Sequence, residues 1–252
     1  MQDLAGKVAF VTGAASGIGR ASALRMAKTG HVIVADCNET GAAETTDSIR
    51  KQGGTATAIR VDVSDGESVT EMKKQIAADI GAVQKAFFAA GIFIRGVTGQ
   101  IPETDWDRMI DIHVKGTFLG CKAVLPDMVD AGRGEIVNMS SDFAVMAVPG
   151  AAAYMAAKSA IYSLTKSLAL EFAAHGIRVN ALGPGPIDTP ILKSGRTENE
   201  WQEVRKLHAS KLPVRRLGQP EEVAAVLDFL LSDRSSYMTG QIVHPNGGQL
   251  MW

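Results

Sequence analysis

The chain has 252 residues, enough for one sizeable core, and its 26 basic and 27 acidic side chains leave a formal net charge of −1. A balance this even, with an isoelectric point near 6.5, excludes nucleic acid or an anionic membrane as the main partner.

The opening "MQDLAGKVAFVTG" has no charged leader before a long apolar run, so no signal peptide is expected. Its "KVAFVTG" reads as a buried strand ended by glycine, and "GIGRASALRMAKTG" as a helix with a glycine stop. The pattern repeats: strand "HVIVAD", helix "ETGAAETTDSIRKQGG", strand "TATAIRVDV", helix "DGESVTEMKKQIAADIG" and strand "VQKAFFAAG". A long helix from about Asp105 to Ala131 leads to strand "GEIVNMSS"; a helix over residues 154–172 leads to a sixth strand in "HGIRVNALGPG". "QPEEVAAVLDFLLS" is a late helix, with Pro220 near its start and Glu221 and Glu222 in its first turn. "TGQIVHPNGG" supplies the last strand. Apolar strands alternating with helices indicate an α/β fold, a parallel sheet covered on both faces in a single domain. The polar stretch Pro186 to Leu212 breaks the rhythm, and a long connection of this kind reads as a substrate lid at about 186–212.

The longest weakly polar run, Phe143 to Ala157, is broken by Pro149 and Gly150, well short of the roughly 18 apolar residues of a membrane span. Cys37 and Cys121 lack CxxC spacing and read as unpaired thiols of a reducing compartment. The expectation is a soluble, cytoplasmic protein. The five histidines form no i, i+4 pair and no Cys/His cluster, so no metal site is expected. Walker-type and GxSxG motifs are absent as well.

"VTGAASGIGRA" sets Gly13, Gly17 and Gly19 between the first strand and the first helix. A pyrophosphate needs backbone N–H donors at close range, which a Cβ would hold off. The candidate contacts of this turn are Gly13, Ser16, Gly17, Ile18 and Gly19. Asp36 ends the second strand, where a carboxylate accepts both ribose hydroxyls of an adenosine and repels a 2′-phosphate. Ser16 and Cys37 offer no compensating positive charge, so the pattern favours NAD. Asp62 and Val63 close the third strand, placed for the adenine, with helix capping as the competing role of Asp62. Tyr154 and Lys158, four residues apart, share one helix face. Alone, that spacing is common enough by chance to mean two side chains snorkelling at a helix end.

In the order "TGAASGIG", "DV", "IVNMSS" and "YMAAK", the sequence resembles the short-chain dehydrogenase/reductase family, NAD-preferring branch. "WDRMIDIHVKGTF", "RVNALGPGPIDTP" and "TGQIVHPNGG" extend the likeness over essentially the whole chain. The resemblance implies a Rossmann-type doubly wound sheet of about seven strands, an NAD cofactor, a homotetramer, and interconversion of a secondary alcohol and a ketone. It makes Ser141, Tyr154 and Lys158 the catalytic residues, with Tyr154 as acid/base and Lys158 also on the cofactor's ribose. A free tyrosine titrates near pH 10, and lowering it by about three units takes roughly 4 kcal/mol from nearby cations. Ala90, Gly91, Pro184, Gly185, Ile187 and Thr189 match family positions beside the cofactor.

Three departures stand out. Phe88 and Ala89 replace two asparagines, so packing by Phe88 is expected to substitute for lost amide hydrogen bonds. Asn246 stands where an Asp usually precedes Gly-Gly, a structural variation. His113 takes the place of an active-site Asn associated with a helix break and a proton path, and an imidazole there is expected to titrate on the acid side of the rate profile. Phe93, Phe143, Met146, Ile191, Leu192 and Trp201 are pocket candidates, favouring a hydrophobic, even cyclic, alcohol or ketone. The alternatives are a polar diol or sugar-like alcohol held by Asp142 and His113, or a non-catalytic NAD-binding scaffold.

Overall fold

A computed structural model describes residues 7–193 and 196–251. The first six residues read for a leader, and Ser194 and Gly195 of the expected lid, lie outside the described residues. Seven strands form one parallel sheet in the order β3-β2-β1-β4-β5-β6-β7. They are β1 (Val8–Thr12), β2 (His31–Asp36), β3 (Thr55–Arg60), β4 (Lys85–Phe88), β5 (Gly134–Met139), β6 (Ile177–Leu182) and β7 (Ile242–Val243). The third strand thus ends at Arg60, before the expected Asp62 and Val63, which enter the loop that leads to the next helix.

Side-chain alternation splits the core. Ala9 and Val11 of β1 pack with α1 (Gly17–Met26) and α9 (Pro220–Leu230) on one face. Phe10 and Ile33 pack on the other face with α3 (Gly66–Asp79), α5 (Gly116–Asp130) and α6 (Ala152–Phe172). Burying each such aliphatic or aromatic side chain stabilises by about 1.5–3 kcal/mol. Helix starts follow their capping residues. Asn38 accepts from Gly41 N–H to open α2 (Glu39–Lys51), and Asp65 accepts from Glu67 and Ser68 to open α3.

Two segments differ from expectation. The long helix is α4 (Glu103–Ile110) and α5 joined by a π-helical turn over Asp111–Lys115. The polar 186–212 stretch carries α7 (Pro190–Lys193) and α8 (Glu198–Lys211). The "TENE" at 197–200 was the unread signal for α8: Thr197 and Glu200 form a capping box.

Candidate active site

Strand order reverses between β1 and β4, the point where an open parallel sheet leaves a crevice at its carboxyl end. The glycine turn after β1 meets the Ala89–Gly91 segment after β4 there. Thr12 Oγ1 accepts from Ala89 N at 3.1 Å and Ala90 N at 3.3 Å. Gly13 has φ +67°, and a Cβ on it would lie 2.8 Å from the Ala90 backbone. Gly17, at φ +52°, faces Thr189, whose Cγ2 would be 3.3 Å from an added Cβ. On Gly19 a Cβ would overlap Gly13 O at 2.1 Å, so helix and turn touch through bare backbone. Ser16 opens α1 without a side-chain cap, and the first turn carries no acidic residue. The first N–H groups of α1 therefore face a cradle of backbone and small side chains, while Ile18 turns into the core. This is the fit a pyrophosphate requires.

Asp36 reaches into the same cradle: Oδ2 accepts from Ala15 N at 3.0 Å and Oδ1 from Asn38 N at 2.9 Å. Beside it, the exposed Cys37 thiol is pushed up by partial burial and by the Asp36 carboxylate. Asp62 accepts from Ser64 Oγ at 2.6 Å and Ser64 N at 2.9 Å, and these bonds hold its carboxyl below the usual range. Helix capping falls to Asp65, not to Asp62. Val63 packs where α5 begins, 2.8 Å from a Cβ placed on Gly116.

Ser141, after β5, and Tyr154 and Lys158, on α6, converge at the same end of the sheet. Tyr154 is wedged edge-on between Phe93 (5.1 Å between ring centres), His113 (5.4 Å) and Phe143 (5.8 Å). Lys158 lies 5.3 Å from the Tyr154 ring centre, and its Nζ donates to Met139 O at 2.8 Å. Burial pushes the Tyr154 phenol up to about 12, opposed by a hydrogen bond with Ser141. It pushes the Lys158 ammonium down to about 7. Burial thus favours the neutral phenol, and the expected lowering falls to the cations, the Lys158 ammonium and an oxidised nicotinamide ring.

The π turn is where His113 enters. Nε2 lies 2.7 Å from Ile92 O and 3.1 Å from Ile92 N, and Thr117 Oγ1 donates to the His113 carbonyl at 2.7 Å. A Cβ on Gly91 would sit 2.4 Å from the His113 ring, so this glycine makes room for the imidazole. Burial and the Lys158 charge push His113 down to about 3. That shift runs against the expected acid-side titration and favours a neutral ring, which the pH–rate profile of His113→Asn tests.

On the opposite wall, Asp142 N donates to Pro184 O at 3.1 Å and Gly185 N to Pro245 O at 3.3 Å. Ile187 bridges to Gly218, and Thr189 Oγ1 donates to Ile187 O. Of the pocket candidates, Phe93 and Phe143 meet the Tyr154 ring. Met146 follows the Ser141 turn, Ile191 and Leu192 lie on α7, and Trp201 is buried on α8. Phe88 does the expected packing, edge-on to Phe10 at 5.9 Å and against Gly120. The sequence reading missed the link from Asp142 to His244, whose Oδ1 and Nδ1 are 2.7 Å apart, because 102 residues separate them. Among the described residues no cluster could hold a metal ion, and no helix is long and apolar enough to cross a membrane.

A parallel sheet with a glycine cradle at its switch point and a Ser–Tyr–Lys cluster beside it defines the class of nicotinamide-dependent oxidoreductases. A family profile described as Enoyl-(Acyl carrier protein) reductase matches residues 13–249. Cyclohexanol dehydrogenase of Acinetobacter sp. (strain SE19) is 39% identical over 241 residues, 93% of this chain and 91% of that protein. A short-chain type dehydrogenase/reductase from Mycobacterium marinum superposes with TM-score 0.92 at 34% identity, covering 99% of this chain and 98% of that one. A gluconate 5-dehydrogenase from Burkholderia cenocepacia J2315, in complex with NADP and tartrate, gives 0.91 at 29%, covering 98% and 96%. The chain belongs to the short-chain dehydrogenase/reductase family.

Proposed function

We propose that this chain is an NAD-dependent alcohol dehydrogenase/carbonyl reductase that interconverts a hydrophobic secondary alcohol and its ketone, with Tyr154 as acid/base. The convergence of Ser141, Tyr154 and Lys158 beside the glycine cradle carries the reading. Bound NAD would supply the hydride acceptor or, reduced, the donor. Gly13, Ser16, Gly17, Ile18 and Gly19 would hold its pyrophosphate, Asp36 its adenosine ribose, and Asp62 and Val63 its adenine. Ala90, Gly91, Pro184, Gly185, Ile187 and Thr189 would line its nicotinamide half.

The chain's own residues manage the proton. Ser141 Oγ hydrogen-bonds the reacting oxygen and fixes its orientation. The neutral Tyr154 phenol, near 12, is a ready proton donor for ketone reduction. Accepting a proton near pH 7 requires a drop of about five units, roughly 7 kcal/mol. A protonated Lys158 is the chain's own contribution to that sum, and it also places an ammonium for a ribose hydroxyl. His113, neutral and edge-on to Tyr154, completes the catalytic group by fixing the phenol and the Ile92 backbone.

The rings of Phe93 and Phe143 favour an apolar, cyclic substrate, a reading the likeness to a cyclohexanol dehydrogenase supports. A homotetramer is the assembly that the family likeness implies for this chain. The test is a panel of cyclic, linear and polyhydroxylated alcohols and ketones with NAD(H) and NADP(H), followed at the nicotinamide absorbance. Turnover of cyclic secondary alcohols with NAD is expected. Binding of NAD with no turnover across the panel would favour a scaffold instead.

A further inference from the structure

We propose that Asp142 is a positioning residue: through His244 and Asn246 it locks the catalytic Ser141 turn against the Pro184–Gly185 loop. The inference rests on the reading of Ser141 given above.

Asp142 is 1% exposed although it directly follows Ser141. Its Oδ1 is 2.7 Å from His244 Nδ1 and 3.4 Å from Asn246 Nδ2. His244 Nδ1 is also 2.9 Å from Gly183 O. Both neighbours of that nitrogen are acceptors, so Nδ1 carries the hydrogen and shares it between the carboxylate and the carbonyl. Asn246 is fixed in turn: Nδ2 donates to Leu250 O at 3.0 Å, and Oδ1 accepts from Gly248 N at 2.9 Å.

The backbone closes the circuit. Asp142 N donates to Pro184 O, Gly183 N to Val243 O at 2.9 Å, and Gly185 N to Pro245 O. Ser141 Oγ accepts from Phe143 N at 3.2 Å, inside the same turn. One carboxylate thus joins the turn that aims Ser141, the loop placed for the nicotinamide, and the segment that follows β7. The angle between the reacting oxygen and the cofactor is set across this joint.

The joint also explains Asn246. An aspartate there would turn an oxygen toward Asp142 Oδ1 and Leu250 O, two acceptors that need a donor. Asp142 Oδ2 has no hydrogen-bond partner among the described residues. Asp142→Asn would keep the accepting oxygen and shed a poorly solvated charge, at the cost of leaving its buried amide N–H donors without an acceptor.

The experiment compares Asp142→Ala, Asp142→Asn and Ser141→Ala, using cyclohexanol with NAD or whichever panel alcohol turns over faster. Asp142→Ala should lower kcat by about 100-fold, the scale of an angstrom-level misplacement. Its primary deuterium isotope effect should rise, and NADH affinity by fluorescence should stay within about threefold. Asp142→Asn should recover kcat to within about fivefold of the parent, since the hydrogen bonds rather than the charge do the positioning. In cofactor-free protein, hydrogen exchange at the amides of 142, 183 and 185 should quicken in Asp142→Ala and stay slow in Asp142→Asn.

Parent-like kcat and exchange in Asp142→Ala would overturn the proposal, as would an Asp142→Asn damaged equally. Ser141→Ala separates the two claims: if it keeps full turnover, the reading of Ser141 fails. If it collapses while Asp142→Ala does not, only the positioning role fails. Should Asp142→Ala not fold, His244→Ala carries the same comparison, because it removes the donor and leaves the serine turn's own residues in place.

Discussion

Asp36 gives the sharpest handle on cofactor choice. Its carboxylate accepts from Ala15 in the glycine turn and from Asn38, so it both shapes the cradle and sets its charge. At about 4 Å and an effective dielectric of about 20, a carboxylate repels one unit of phosphate charge by about 4 kcal/mol. Asp36 is half-exposed, and solvent screening cuts this to roughly 1–2 kcal/mol, or about tenfold in affinity. NADH should therefore bind about 5- to 30-fold more tightly than NADPH. Asp36→Asn keeps an acceptor and removes the charge, so it should bring the two affinities together. Asp36→Ala also frees the Ala15 N–H and should weaken NADH further, at about 1.5–3 kcal/mol for a bond to a charged group. Titration of nicotinamide fluorescence with each cofactor reads all three proteins. Equal affinities in the unaltered chain would refute the charge argument.

Gly120→Ala would set a Cβ 2.4 Å from the Phe88 ring, which Phe10 holds from the other side. The overpacking should cost about 1–3 kcal/mol after the small gain in helix propensity, seen as a Tm lower by about 2–4 °C per kcal/mol; an unchanged Tm would show that Phe88 is not locked. Buried Lys85 and Lys158 are pushed down to about 8 and about 7 by desolvation, so between those values and 10.5 the unfolded chain holds protons the folded chain has released. Stability of the cofactor-free protein should thus rise from about pH 7 to pH 8.5, by up to ~1.4 kcal/mol per unit for each lysine. Above about pH 10 it should turn over, because burial raises the Cys121 thiol and Tyr154 and the lysine contribution fades as pH nears 10.5. Urea unfolding across that window checks the sign, and a flat or falling curve contradicts it. His113, held near 3, contributes no titration to the rate profile from about pH 5 to 7; an acid limb that disappears in His113→Asn would show that the ring does protonate.

The strands were legible because each is a short apolar run closed by a turn, and the glycine turn because only backbone fits where Gly13 meets Ala90. Ser141, Tyr154 and Lys158 could be placed from their order along the chain; that Tyr154 is squeezed among three rings could not, since Phe93, His113 and Phe143 come from separate elements. Helical periodicity runs on through "MIDIHVKGTF", so one extra residue in the turn at Asp111–Lys115 leaves no mark in the pattern. The burial that favours the neutral Tyr154 phenol is a property of the assembled site and leaves no mark in the sequence. The Asp142–His244 pair is invisible in a linear reading for the same reason: its members meet only when β7 closes the sheet beside β6.

The central claim is that the Tyr154 phenol carries the proton. Tyr154→Phe removes one oxygen and leaves the edge contacts with Phe93, His113 and Phe143 in place. Single-turnover hydride transfer should fall by about 10²–10⁴-fold, the usual worth of a positioned acid or base, while NADH affinity stays within about threefold. Single-turnover rates close to those of the unaltered enzyme, measured with NADH saturating, would contradict the account.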